Sequence, residues 1–118
     1  MIRRMVVAGV AGLFLAGGAS AYSQDAALVA KGKTVYETAS PKCKVCHAIA
    51  GAGNPKGSLD GVGSKLSAEE IKAWHRDAKG MTAKAKADRK PPMPSYPKEK
   101  LSDEDLEALT AYLLSLKK

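Results

Sequence analysis

The sequence predicts an all-α domain of three to four helices joined by irregular loops. Two observations carry this. Three segments place apolar residues at helical spacing behind a side chain suited to cap a helix, at Asp25, Ser67 and Ser102. Downstream of Cys46 no segment shows the two-residue alternation of a half-buried strand, and the connections are rich in glycine, proline and lysine.

The elements follow in chain order. Residues 1–21 read as a secretory signal: Arg3 and Arg4 form the charged end, Met5 to Ala16 the apolar segment, and Ala19-Ser20-Ala21 a small-residue cleavage site. The apolar segment falls short of the ~20 residues a spanning helix needs, so the mature chain is expected to start at Tyr22 with no membrane span. Cleavage leaves 97 of the 118 residues, one small domain over 22–118. The sole phenylalanine, Phe14, belongs to the signal, which leaves Leu, Val and Ile with Trp74 and four tyrosines to build the core.

The first helix is expected to begin at Asp25, with Leu28, Gly32, Val35 and Tyr36 on one face and Lys31 and Lys33 off it. Glycine in a helix interior costs about 1 kcal/mol relative to alanine, so Gly32 points to close approach by another backbone. Residues 51–63 carry five glycines with Asn54, Pro55 and Asp60, which is loop chemistry. Ser67-Ala68-Glu69-Glu70 is a capping box that opens the second helix, with Leu66 placed to staple onto Ile71. Ile71, Trp74 and Ala78 line its inner face, while His75, beside Arg76 and Asp77, is placed on the solvated surface. Lys79, Lys84, Lys86, Arg89 and Lys90 against the single acid Asp88 make residues 79–90 a basic loop containing Met81. It runs into Pro91-Pro92-Met93-Pro94, where the prolines fix φ and impose an extended segment. The last helix starts at Ser102, with Asp105 three residues on and Leu101 placed against Leu106. Its stripe is Leu106, Leu109, Tyr112, Leu113 and Leu116, and Lys117 and Lys118 suit its C-terminal dipole.

The chemistry sits between the first two helices. Cys43-Lys44-Val45-Cys46-His47 contains both cysteines of the chain, and Cys-x-x-Cys-His is the attachment pattern of a c-type haem. Two intervening residues let both thiols add across the porphyrin vinyl groups from one turn, and His47 then faces the iron as its proximal nitrogen ligand. A redox dithiol normally belongs to a βαβ unit, which this chain does not build. A zinc site needs four ligands, and His47 and His75 meet no zinc-finger spacing with the cysteines. The haem itself would supply a flat apolar body for a thin core to pack on. The mature chain carries 17 basic and 12 acidic side chains, a net +5 that favours acidic partners. Nucleic acid is excluded as a partner by the lack of any recognition motif and by the export signal.

In this order the segments resemble the small monohaem class I cytochromes c of bacterial periplasms. The resemblance rests on the helix with Gly32 and Tyr36, on Cys43 to His47, on Gly57-Ser58-Leu59-Asp60-Gly61-Val62-Gly63, on Pro92-Met93-Pro94 and on Ala111-Tyr112-Leu113. It implies the small cytochrome c fold wrapped around one covalent haem c held by Cys43 and Cys46. The first and last helices would cross with Gly32 against Tyr112. The resemblance also implies Met93 as the second axial ligand, in preference to Met81 and His75. With both axial positions filled, the chain would be a periplasmic carrier of single electrons and no enzyme. The family's proline that orients the proximal histidine through its carbonyl has no counterpart in Gly57-Ser58-Leu59, so a carbonyl between Pro55 and Ser58 is expected to take that role. Lys42, Lys44, Lys84, Lys86 and Lys90 are the candidates to ring the haem edge and steer a redox partner with an acidic surface. The alternatives are a cytochrome c subunit of a periplasmic dehydrogenase or oxidase complex, and a haem-based small-ligand sensor.

Overall fold

Asp25 opens the first helix as its sequence suggests: its carboxylate accepts a hydrogen bond from the Leu28 amide at 3.1 Å, and α1 runs Ala26–Thr38. The computed structural model describes residues 25–118, so the predicted signal segment 1–21 lies outside the described residues. Gly32, Val35 and Tyr36 are the buried face of α1. They lie against the last helix, Asp103–Ser115, which is α5 in the order given below and is capped by Ser102 through the Asp105 amide at 3.1 Å. A Cβ on Gly32 would run into the Ala108 carbonyl and stand 2.6 Å from Tyr112 Cβ, so this helix crossing requires glycine. Tyr36 and Tyr112 meet beside it with ring centroids 6.0 Å apart.

Between these two helices the chain is more ordered than its glycines suggest. Cys43–Val45 forms a 3-10 turn, and Ala48–Ile49 (β1) pairs antiparallel with Ala52–Gly53 (β2), Ala48 opposite Gly53 and Ile49 opposite Ala52. The two turn residues Ala50 and Gly51 both have positive φ, 51° and 84°, the backbone a two-residue hairpin demands. An alanine is held in that conformation by a hydrogen bond from its amide to Asp60 Oδ1 at 2.8 Å. A second 3-10 turn, Pro55–Gly57, and the single-turn helix α2, Val62–Lys65, complete the segment.

The capping box at Ser67 forms in full: the Glu70 amide donates to Ser67 Oγ at 3.2 Å and the Ser67 amide to Glu70 Oε1 at 3.0 Å. It starts α3, Ala68–Arg76. Two expectations are corrected here. His75 is buried, with 7% exposure, instead of solvated. It follows Ile71 by four residues and therefore shares the inward face of α3, and the charges of Arg76 and Asp77 belong to the other faces. Residues 79–90 are a loop only in part, because Ala78–Ala85 forms a further helix, α4. Asp77 caps it by accepting from the Gly80 amide at 3.1 Å, and its alanines favour helix strongly enough to carry the lysines along. Met81 is therefore a half-buried helical residue. The described residues hold five α-helices where three to four were expected.

The core gathers Val35, Tyr36, Ile71, Tyr96, Leu101, Leu106, Leu109, Leu113 and Leu114. On α5 the buried set also includes Ala108, Thr110, Ala111 and Leu114, a wider face than the predicted stripe. The reason is that α1, α2 and α3 all pack on this one helix. No helix among the described residues is long and apolar enough to cross a membrane.

Candidate functional site

The five residues Cys43 to His47 close on themselves: the amides of Cys46 and His47 both donate to the Cys43 carbonyl, at 3.1 and 2.8 Å. The turn presents Cys43, Cys46 and His47 together to a cavity of about 320 Å³. The two cysteines are half-buried and are not joined in a disulfide. Met93 enters the same cavity from the far end of the chain, between Pro92 and Pro94, and Leu59, Ile71, Trp74 and Leu113 supply apolar wall. The four residues expected to bind the haem thus converge on one space. Among the expected docking residues, Lys42 borders the cavity, while Lys44, Lys84, Lys86 and Lys90 are exposed outside its wall. Met81 does not line the cavity, whereas His75 does.

His47 is oriented from behind. Its Nδ1 donates to the Gly57 carbonyl at 2.9 Å, which places the acceptor inside the span expected from sequence. Asn54 builds that acceptor: its side chain caps the Pro55–Gly57 turn through the Lys56 amide at 3.0 Å, and its own amide donates to the His47 carbonyl at 2.9 Å. Glycine is needed at position 57 because a Cβ there would lie 3.0 Å from His47 Nδ1 and collide with the Cys46 carbonyl and the Arg89 guanidinium. Burial holds the His47 imidazole below its ordinary pKa, the Gly57 bond opposes this, and the nearby Arg89 charge adds to it. A neutral imidazole with Nδ1 engaged leaves Nε2 free, which is the state that binds a metal.

The segment bearing Met93 is tied down at several points. The Tyr96 amide donates to the His75 carbonyl at 2.6 Å, and the Ala78 amide to Ser95 Oγ at 2.9 Å. Arg76 spans three acceptors, the carbonyls of Tyr96 and Leu101 at 2.8 and 2.6 Å and Asp103 Oδ1 at 2.8 Å. Tyr96 also donates its hydroxyl proton to the Pro41 carbonyl at 2.8 Å, linking the strap to the chain just before Cys43. Burial is the main cause that pushes the Tyr96 pKa up to about 12, so this donor stays protonated. The roles of Arg76, Tyr96 and Arg89 at the site are not legible along the chain. Their partners lie far along the chain, and the one local hint is an aromatic residue three positions after Met93 in a chain poor in aromatics.

These residues fit a covalently bound haem. Two thiols at the attachment spacing and an anchored imidazole line one largely apolar cavity together with a thioether side chain. Tyr36 also lines this cavity, and among the described residues its buried hydroxyl has no hydrogen-bond partner.

Comparison with known proteins agrees. Residues 29–117 match the family model described as Cytochrome c. The chain is also similar to a cytochrome c oxidase subunit 2 from Alkalihalophilus pseudofirmus, with 34% identity over 99 residues, 76% of this chain and 26% of that protein. It therefore spans about a quarter of the relative's length. No solved structure matches. A helical domain folded around a Cys-x-x-Cys-His turn, matched by that family over most of its length, belongs to the cytochrome c family, whose members carry covalent haem and transfer electrons.

Proposed function

We propose that the chain is a periplasmic carrier of single electrons, with one haem c attached through Cys43 and Cys46 and its iron ligated by His47 and Met93. The observation that carries this is the convergence of those four side chains on one cavity, with His47 already in the ligating tautomer. When bound, the haem supplies a one-electron couple at its iron. The protein's residues do the rest. Gly57 fixes the His47 ring and raises its basicity as a ligand. The strap pinned by Arg76 and Tyr96 holds Met93 in one position, so neither ligand has to move when the charge of the site changes. Apolar walls exclude water. Val45, which lines the cavity and is 67% exposed, provides an apolar contact point, and Lys42 and Lys44 near it in the chain offer the charge to steer an acidic partner.

The test is the absorption spectrum of the haem-loaded protein and of Met93→Ala. The wild type is expected to be low-spin, to show the weak long-wavelength band of a ferric iron–sulfur bond, and to resist carbon monoxide when reduced. Met93→Ala should lose the band; its survival would transfer the ligand role to Met81, and ready carbon monoxide binding by the wild type would favour a sensor. A second reading, a subunit held in an oxidase complex, is favoured by the similarity to part of a cytochrome c oxidase subunit 2. Co-elution with a larger complex from the native source would support it, and elution as a free small protein supports the carrier.

A further inference from the structure

The cavity holds a second imidazole that neither tether nor ligand set uses. His75 lines the same space as His47 and Met93. It is 7% exposed, and its Nδ1 donates to the Ile71 carbonyl at 2.7 Å. The arrangement repeats that of His47 on Gly57: one ring nitrogen is committed to a backbone oxygen, which fixes the tautomer and leaves the Nε2 lone pair as the only coordinating position. Among the described residues that Nε2 has no hydrogen-bond partner. A leucine would fill the same inward position of α3 without placing a polar nitrogen among apolar neighbours.

His75 is also joined to the Met93 strap. The Tyr96 amide, three residues past Met93, donates to the His75 carbonyl at 2.6 Å, and the His75 and Tyr96 rings lie with centroids 6.0 Å apart. The methionine sulfur and the spare imidazole therefore enter the cavity from segments held to each other, while His47 is carried by the separate turn at Cys43 to Gly57. Burial lowers the His75 pKa from its ordinary value, and the bond to the Ile71 carbonyl opposes this.

Resting on the haem reading above, we propose that His75 is a reserve axial ligand, whose Nε2 takes the iron when Met93 releases it. The exchange breaks the bond from iron to the Met93 sulfur and forms one from iron to His75 Nε2. Both donors are neutral and the His75 proton already resides on Nδ1, so no proton or electron is transferred. The consequence would be a second six-coordinate state of lower reduction potential, in place of an open iron that binds small ligands.

The experiment compares haem-loaded wild type, Met93→Ala, the double variant Met93→Ala/His75→Leu and, as a polar replacement of similar reach, Met93→Ala/His75→Gln. Electron paramagnetic resonance and absorption spectra report spin state, and carbon monoxide titration of the reduced proteins reports an open site. Met93→Ala is expected to stay low-spin with a two-nitrogen signature. Both double variants should become high-spin and bind carbon monoxide at least tenfold more tightly. A high-spin Met93→Ala, or double variants that remain low-spin through some other side chain, would overturn the proposal. The carrier reading fails separately, if the wild type itself lacks the iron–sulfur band; replacing His75 alone by leucine then decides whether this histidine is the ligand already.

Discussion

Gly32→Ala separates two effects of opposite sign. In an isolated helix the substitution would favour α1 by about 1 kcal/mol, because glycine loses more backbone freedom on folding. In this fold the new methyl group would collide with the Ala108 carbonyl and stand 2.6 Å from Tyr112 Cβ. Carbon atoms pack at about 3.5–4.0 Å, so the helices must part by roughly 1 Å at their crossing. Both obstacles are backbone or Cβ atoms, which no side-chain rotation can move. The separation loosens Val35 and Tyr36 against α5, so the penalty belongs at the upper end of the about 1–3 kcal/mol typical of overpacking. Subtracting the propensity gain leaves a net loss of about 2 kcal/mol. At roughly 4–8 °C per kcal/mol for a domain of this size, the midpoint of thermal unfolding should fall by about 8–16 °C. Far-UV circular dichroism of the haem-loaded protein measures it. An unchanged or raised midpoint would refute the close crossing and leave glycine at this position without a structural reason.

Two further changes test the supports of the strap and the terminal helix. Arg76→Ala leaves the Tyr96 and Leu101 carbonyls without their donor, and losing charge-assisted bonds of this kind costs about 2–3 kcal/mol. In a denaturant titration the iron–sulfur band should vanish well before the helices unfold, whereas in the wild type the two should stay closer together; equal spacing in both proteins would count against the clamp. Asp103 is held below the ordinary carboxylate value of 3.8 by the hydrogen bond from Lys98 and then by that from Arg76. A depressed folded pKa contributes stability that is present above 3.8 and lost as pH falls through the folded value. Asp103→Asn should therefore lower the thermal midpoint at neutral pH, and its difference from wild type should shrink below pH 3.8; a difference that stays constant would mean the carboxylate charge is not involved.

The parts of this protein that are legible along the chain are those whose chemistry is local. The caps at Asp25, Ser67 and Ser102 act on amides within three residues, and each helix starts where they place it. The Cys43 to His47 turn likewise needs only its own five residues to present two thiols and an imidazole together. Gly32 carried a longer-range message because only a close backbone explains a glycine on an otherwise good helix face. Reading failed where a local cue competed with another or with packing. The lysines of residues 79–90 suggested a loop, but the Asp77 cap and the alanines made α4. The charges flanking His75 suggested a surface, but its phase relative to Ile71 put it inside.

What the fold alone decided is the company these residues keep. Met93 meets the Cys43 to His47 turn because Arg76 and Tyr96 tie its strap to partners 20, 25 and 55 residues away. Gly57 becomes the acceptor for His47 because a capped 3-10 turn aims one carbonyl back at the ring. Types and spacing of side chains identify a chemistry, since attachment and capping operate over a few bonds. Burial, orientation and the choice among spare ligands depend on which distant segments share a wall, and that is set only when the helices pack.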